Sequence, residues 1–340
     1  MECNILFTCA GKRNYLLRYF KEALKGKGKI IAVDNHKYAA ASADADVFIQ
    51  VPNIYDKTYV SKLEVIIRHH NVRALISLND LELPILSKQK AYLEQLGVKV
   101  LLSNNSVINT TYDKWQTHIF IKSIGLNTPK TYIDFNLAIK DIEAGVLNFP
   151  VVLKPRFGSG SIGLEICDDI EELKLAYKLQ NIKIKKSIFN KDSAADIAHS
   201  ILIQEKLQGV EFGFDILNDF KGNFCDAYLR EKIAMRFGET DKAISRINPS
   251  FNILAEKIGN SLKHIGSMDG DVFLVDNNWF VLELNPRFGG GYPFSHEAGA
   301  NTAAVYVDWL LGNDNNLKKH INYKCGIVFS KYELLVKLQS

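Results

Sequence analysis

At 340 residues the chain is too long for one compact core and fits two or three packed lobes. Hydrophobic residues make up 47% and charged residues 24%, as in an ordinary soluble globular protein. The net charge of +4, from 42 basic and 38 acidic residues, is too mild to argue for nucleic acid, and the Lys183, Lys185, Lys186 and Lys191 cluster reads as a solvated loop rather than an anion site.

Residues 1–103 alternate short apolar runs with longer amphipathic ones. Asn4–Cys9, Lys29–Asp34, Ala74–Leu78 and Val98–Leu102 are predicted strands; Asn14–Leu24, Lys57–His69 and Glu82–Leu96 are predicted helices. Such alternation implies right-handed crossovers and a parallel sheet. The turn after the first strand, Cys9-Ala10-Gly11-Lys12-Arg13, carries one glycine where a dinucleotide fingerprint needs three, so NAD binding is not expected, although Asp34 would suit a ribose. Residues 104–127 read as one helix with Asp113 as a plausible cap, stopped by Gly125. Strands broken by glycine-rich turns follow to about residue 295. Thr302–Leu311 reads as an apolar helix ahead of a polar turn and a basic tail.

Five dispersed cysteines (Cys3, Cys9, Cys167, Cys225, Cys325) form no CxxC pair and read as reduced thiols. The start of the chain is too short in apolar residues for a signal peptide, and no run reaches transmembrane length. The expectation is a cytoplasmic protein that meets neither membrane nor nucleic acid.

Four segments carry candidate chemistry. In Phe149–Gly163 an apolar strand ends in Lys154, followed by a loop with Gly158, Ser159, Gly160, Ser161 and Gly163. Glycines let backbone N–H groups close on phosphate oxygens and serines add donors, but a hairpin turn with an incidental lysine has the same composition. In the second segment a buried strand ends at Glu205-Lys206-Leu207, where freed main-chain groups can pair with an adenine edge; Glu211 could reach ribose hydroxyls, or both glutamates simply face solvent.

The third segment, Asp269–Arg287, reads as a hairpin with Asp276-Asn277-Asn278 as a three-residue loop. Pairing outward from Asn277 sets Asp271 opposite Glu283, two like charges that need a cation between them. Glu283, Asn285 and Arg287 then share one face, and Val272, Leu274, Phe280, Leu282 and Leu284 form the opposite, apolar one. Two carboxylates and an amide suit Mg²⁺ shared with phosphates, and the arginine suits a transferring phosphoryl group. The alternative is a solvent-facing strand with a Glu283–Arg287 ion pair. The fourth segment, Arg236–Ala243, reads as a polar loop whose lysine could hold a γ-phosphate or an acidic substrate, or could be solvated.

In this order and spacing the segments resemble the ATP-grasp superfamily, and most of all one half of the carbamoyl phosphate synthetase large subunit and the small stand-alone ligases related to it. The resemblance covers nearly the whole chain and rests on Glu283-Leu284-Asn285-Pro286-Arg287, followed by Gly289-Gly290-Gly291-Tyr292-Pro293, with Lys154 and its loop in support. It implies an α/β fold, α+β in the grasp part: a Rossmann-like pre-ATP-grasp domain over 1–103 and a two-lobed grasp over 104–312. Within the grasp, 116–208 would be the small nucleotide-covering lobe and 209–312 the metal and catalytic lobe, with 313–340 a tail.

Carried over to this sequence, the resemblance implies that Lys114 and Lys154 bind the α- and β-phosphates under the Gly158–Gly163 loop. Glu205, Lys206 and Leu207 would present backbone to adenine, and Glu211 would take the ribose. Asp271, Glu283 and Asn285 would hold two Mg²⁺, with Mn²⁺ as a substitute. Arg287 would stabilise an acyl phosphate, and Lys242 matches loosely a phosphate-side lysine. The implied activity is ATP-dependent ligation of a small-molecule acid to an amine, with a homodimer possible. A carbamoyl-phosphate-synthase-like phosphorylation of bicarbonate or carbamate within an assembly and a non-catalytic ATP sensor are the alternatives. Because one grasp module is present and that synthetase uses two, complete carbamoyl phosphate synthesis by this chain alone is not expected.

Overall fold

The computed structural model describes residues 2–158, 160, 162–186, 193–313 and 316–338. Ser159, Ser161 and Lys191 therefore lie outside the described residues.

The N-terminal part runs β1 (Asn4–Thr8), α1 (Asn14–Leu24), β2 (Ile30–Asp34), β3 (Val47–Gln50), α2 (Tyr59–His69), β4 (Val72–Ser77), α3 (Leu83–Glu94) and β5 (Lys99–Val100). The strands form a parallel sheet in the order β3-β2-β1-β4-β5. Side chains alternate along β1: Ile5 and Phe7 enter one core with α1, and Leu6 enters the other with residues of α2 and α3. Both faces are thus covered, as a parallel sheet requires. The strand β3 was not foreseen: Val47–Gln50 is a short edge strand, only partly buried, whose apolar run is three residues long.

The helix expected over 104–127 is two, α4 (Asn105–Tyr112) and α5 (Lys114–Ser123). Asp113 adopts an extended conformation between them (φ −94°, ψ 107°). There its Oδ1 accepts from Trp115 N–H and Gln116 N–H (2.9 and 3.4 Å), and its carboxylate meets Arg156 at 2.6 Å. Satisfying the first free amides of α5 outweighs continuing α4 through a residue with poor helix propensity.

Next come β6 (Thr131–Tyr132), α6 (Phe135–Glu143), β7 (Val151–Pro155), β8 (Glu165–Cys167), α7 (Ile170–Lys186) and β9 (Ile201–Glu205). These strands make a four-stranded antiparallel sheet, β6-β9-β7-β8, whose core of Leu153, Ile201 and Ile203 packs on Ala138 of α6 and Leu173 of α7.

The rest of the chain is β10 (Val210–Asn218), β11 (Phe224–Arg236), β12 (Glu239–Arg246), α8 (Pro249–Leu262), β13 (Gly266–Val275), β14 (Asn278–Asn285), α9 (Tyr292–Glu297), α10 (Thr302–Leu311) and β15 (Val328–Ser330). The six strands form an antiparallel sheet, β14-β13-β10-β11-β12-β15. Arg236–Ala243, expected as a loop, is the tip of the β11–β12 hairpin. Phe237 and Gly238 take positive φ (49° and 76°), the geometry of a two-residue turn matched to strand twist. The residues expected as a tail contribute β15, which pairs with β12. The helix α10 returns to α1, and Val305 and Tyr306 complete the core above Phe7 and Phe20.

The β13–β14 hairpin differs instructively from its expected form. Its turn has two residues, Asp276 and Asn277, both at positive φ, so Val275 pairs with Asn278 rather than Trp279. A bulge between Asp271 and Val272 on one side and Val281 and Glu283 on the other adds one residue to β14. It restores the pairing of Asp271 with Glu283. The bulge also changes the faces. Trp279 and Val281 enter the core with Val272 and Leu284, whereas Leu282 joins Phe273 in lining a cleft on the other side. Phe280, opposite Phe273 in the ladder, shares that cleft face. Phe280 and Leu282 are therefore not core-facing, as a regular strand would have made them.

Candidate active site

Between the four-stranded and six-stranded sheets lies a cleft of about 660 Å³. Apolar Val152, Ile162, Leu207, Phe273 and Leu282 contribute to its walls, an apolar slot of the size that holds a small ligand. Glu205, Lys206 and Leu207, leaving β9, lie along it. Glu205 itself is tied to the neighbouring segment: its Oε2 accepts from Lys130 N–H at 3.1 Å.

Lys154, at the inner end of β7, is buried, and its Nζ donates to Gln204 Oε1 (2.8 Å). The amide of Gln204 in turn donates to Thr131 Oγ1 (2.8 Å). Burial, then the nearby Lys114 charge, depress the Lys154 pKa to about 8, against the pull of Glu283 and Asp271. Lys114, in the first turn of α5, donates to the carbonyl of Gly158, so it is anchored to the glycine-rich loop. Gly158, Gly160 and Gly163 all take positive φ. At Gly163 a Cβ would also lie 2.2 Å from Gln180 Nε2, so this position needs glycine twice over.

The cation beside Asp271 is Lys232 of β11. Its ammonium lies 2.7 Å from Asp271 Oδ1 and 2.6 Å from Glu211 Oε1. Burial opposes the Lys232 charge, but Asp271 and Glu211 outweigh it and raise its pKa. Burial pushes the Asp271 carboxyl up to about 7, with Lys232 acting downward and Glu283 upward. Glu211 is thus engaged by Lys232 through one oxygen. Of the two facing carboxylates only Asp271 meets this lysine, which the hairpin alone did not reveal; Glu283 makes no ion pair among the described residues.

A second cavity, of about 330 Å³, adjoins the cleft; Lys232, Asp271 and Glu283 line both. Asn285 and Arg287, with Glu283, face it from β14 and the turn beyond. Asn285 Nδ2 donates to Glu283 Oε1 at 3.3 Å. Arg287 is buried, with Nη2 2.6 Å from Asp80 Oδ2 on the N-terminal part and Nη1 3.5 Å from Asp269. Burial works against its charge, and Asp80 and Asp269 more than offset that. Asp269 also holds Arg230 (2.7 Å), whose other nitrogen meets buried Asp215 at 2.5 Å. Gly291 leaves room for this arginine; a Cβ there would come within 2.3 Å of it.

Of the expected residues, Lys114, Lys154, Gly158, Gly160, Glu205, Lys206, Leu207, Glu211, Asp271 and Glu283 line the cleft, and Asn285 and Arg287 the adjoining cavity. Lys242 is not brought in. It is exposed on β12, paired with Ala234 and Ser330, and lines neither cavity. The loop in which it was expected to reach inward is a hairpin strand covered by β15. The sequence reading assigned no role to Asp80, Arg230, Lys232 and Asp269; the first three come from two other parts of the chain, and Asp269 opens the hairpin segment itself. The need for a cation near Asp271 was the one signal for Lys232.

Among the described residues no three or more His, Cys, Asp or Glu are gathered as a ready metal site. The donor set is smaller: Glu283 and the Asn285 carboxamide oxygen, with Asp271 shared with Lys232. Hard oxygens in this number fit Mg²⁺, which takes one or two carboxylates and completes its shell with phosphate oxygens and water.

A family model described as an ATP-grasp domain matches residues 111–291. The chain belongs to the ATP-grasp family. Members of that family are ATP-dependent ligases that use Mg²⁺. A second model, the PylC-like N-terminal domain, matches residues 5–101 of this ATP-grasp protein. The carbamoyl phosphate synthase large chain of Pseudothermotoga lettingae is 25% identical over 231 residues, covering 65% of this chain and 20% of that one. The N-terminal section of the same large chain from Aquifex aeolicus is 25% identical over 336 residues, covering 86% of this chain and 55% of that one. The chain thus spans about a fifth of the former relative and about half of the latter.

Among solved structures, the biotin carboxylase domain of Hydrogenobacter thermophilus 2-oxoglutarate carboxylase, a dimer in complex with MgADP, ADP and bicarbonate, superposes with a TM-score of 0.75. It is 17% identical, over 95% of this chain and 73% of that one. An L-amino acid ligase from Bacillus licheniformis superposes with a TM-score of 0.67, 19% identical, over 95% and 78%. At such identities the likeness establishes the ATP-grasp fold.

Proposed function

We propose that this chain is an ATP-dependent carboxylate–amine ligase that works through an acyl phosphate and releases ADP and phosphate. The observation that carries the reading is the junction of the two cavities. An apolar slot with Lys154 and Lys114 opens, at Glu283 and Asp271, into a polar cavity faced by Arg287. A nucleotide with its base in the slot has its phosphates at that junction, within reach of an acid in the second cavity.

In this reading residues 1–103 are the pre-ATP-grasp domain and 104–312 the grasp. The main chain at Glu205–Leu207 meets adenine, and Glu211, through its free oxygen, meets the ribose. Lys154 and Lys114 hold phosphates beneath the Gly158–Gly163 loop, with Ser159 and Ser161 as further donors. Asp271, Glu283 and Asn285 would hold two Mg²⁺ (Mn²⁺ as a substitute), and a bound ion supplies charge neutralisation between the phosphates. A carboxylate oxygen of the acid forms a bond to the γ-phosphorus as the bond to the ADP oxygen breaks. Arg287, fixed by Asp80, stabilises the charge on the transferred group. The amine then attacks the acyl carbon, phosphate departs, and the amine proton passes to solvent. No protein nucleophile is needed, so the protein's contribution is placement and charge. We place the enzyme in the cytoplasm; among the described residues no helix is long and apolar enough to cross a membrane. A homodimer is in keeping with the dimer formed by the 2-oxoglutarate carboxylase domain.

The test is ADP release screened over amino, hydroxy and sugar acids, with and without amines. Organic-acid-dependent release supports the ligase, and Glu283→Gln abolishes it while adenine nucleotide still binds. ATP is used in preference to GTP, since reversed donors on guanine leave main-chain groups unpaired at about 1–3 kcal/mol each. Release driven by bicarbonate alone would redirect the assignment to carbamoyl-phosphate-synthase-like chemistry, and nucleotide binding without any turnover to a sensor.

A further inference from the structure

The turn Cys9–Arg13 found no role in nucleotide binding, yet it forms a wall of the second cavity. In the strand order β3-β2-β1-β4-β5 the direction in which successive strands are added reverses between β1 and β4. The segments leaving their carboxyl ends, Cys9–Arg13 and Leu78–Asp80, both line this cavity. A reversal of this kind leaves a crevice at the ends of the strands, where open parallel sheets bind ligands. Lacking the three glycines, the crevice here has side chains where a dinucleotide would need bare backbone.

The charges of that wall are unbalanced. Arg13 donates to Tyr15 OH (3.0 Å) and to the Phe288 carbonyl (3.4 Å) and makes no ion pair among the described residues. Lys12 is exposed and likewise has no carboxylate partner among them. Arg13 also stands at the start of the eleven-residue α1, which has no side-chain cap, so its partial positive end adds to the two cations. Four of the five carboxylates that line the cavity are paired with cations, Asp80 with Arg287, Asp269 with Arg230, Asp271 with Lys232 and Glu239 with Lys331 at 3.1 Å, with Arg13 adding a weaker pull on Glu239; Glu283 accepts from the neutral Asn285 amide and keeps its charge. On the β14 side, Arg287 lines the cavity, and its buried Nε has no hydrogen-bond partner among the described residues. The guanidinium, oriented by Asp80, gives an anion in the cavity a fixed positive partner. The cavity therefore offers two separate places for anions, one at Arg287 beside the phosphoryl junction and one at Lys12 and Arg13.

Resting on the ligase reading, we infer that the acid substrate carries two anionic groups: the carboxylate to be activated, at Arg287, and a second carboxylate or phosphate held by Lys12, Arg13 and the start of α1. A volume of about 330 Å³ accommodates such a molecule and is far more than a bicarbonate ion fills.

The experiment compares acids of equal carbon number bearing one carboxylate, two carboxylates, or a carboxylate and a phosphate ester. ADP release is followed at saturating MgATP with hydroxylamine as the trapping amine. Wild type should use a two-anion acid at a KM at least tenfold below that of the single-carboxylate acid, and the better of the two identifies the second group. Arg13→Gln and Lys12→Met should each collapse that preference while the KM for ATP stays put. Equal use of one- and two-anion acids, or an undiminished preference in both variants, overturns the inference and leaves the ligase reading standing. No release with any acid overturns the ligase reading instead. The pocket is then decided by calorimetric titration of succinate and of a phosphate monoester into the ADP-loaded protein. Binding lost in Arg13→Gln and Lys12→Met upholds the two-cation anion site, and no binding by wild type ends it. Exposed Lys12 is not part of a core, so its variant folds even if the Arg13 one does not.

Discussion

Lys154 and Lys232 reach the same cleft from different sheets, and their neighbours push them in opposite directions. Lys154 has an amide partner and a second lysine nearby, and burial brings its pKa to about 8. Lys232 is nearly as buried but sits between Asp271 and Glu211, which raise its pKa. A buried cation with carboxylates has its counter-charge built in and serves the protein; one without them is held ready for charge from outside. The contrast separates structural from ligand-binding lysines in a site where both line the wall.

The comparison can be broken most directly at Lys232. Lys232→Met leaves Asp271 and Glu211 beside Glu283 with no cation, and should lower stability by about 3 kcal/mol in chemical denaturation, the cost typical of removing one partner of a buried pair. Mg²⁺ with ADP should recover part of the loss by supplying positive charge to the same oxygens; an unchanged denaturation midpoint would show that Lys232 is not their counter-charge. Lys154→Met should do the reverse. Nucleotide affinity falls by about 10- to 100-fold with loss of a charge-assisted contact. Stability holds or rises, because a buried charge without a carboxylate is removed. Isothermal titration with a non-hydrolysable ATP analogue and a parallel melt check both halves.

A pH series sharpens the same point. Phosphates stabilise the charged form of Lys154, so its pKa rises on binding from about 8, and affinity should decline as pH climbs above 8, by up to about tenfold per unit. Affinity flat from pH 7 to 9.5 would mean that the lysine does not meet phosphate. The smallest effect applies the burial rule away from the cleft. His264 is wholly buried, Nε2 faces the Ile216 carbonyl at 3.3 Å, Nδ1 has no hydrogen-bond partner among the described residues, and burial lowers its pKa to about 4. An unfolded histidine titrates near 6.5 and takes up its proton first. Stability should therefore be full above about 6.5 and decline as pH falls toward 4, by less than about 1.4 kcal/mol per unit. His264→Asn should remove that component of the slope.

What the sequence determined by itself was whatever depends on neighbours along the chain. Alternation of apolar runs marked the parallel sheet, and Asp113 was recognisable as a cap because capping is local. The motif Glu283-Leu284-Asn285-Pro286-Arg287 fixed a face with two carboxylates across a hairpin. Even there the loop length was off by one, and the register survived only because the bulge at Leu282 added the residue that the turn lacked. Local signals do not reveal a bulge, since it is set by how Trp279 and Val281 seat in the core under α8. Partner choice was decided only by the tertiary structure. Lys232 meets Asp271 because β10 lies between β11 and β13, and Arg287 meets Asp80 because α10 docks the grasp onto the N-terminal sheet. Lys242 shows the converse: a plausible charge in a plausible segment, carried out of the site by its pairing with β15. Charges act through space over a few ångströms, and which of them come that close is a property of the packed fold, not of spacing along the chain.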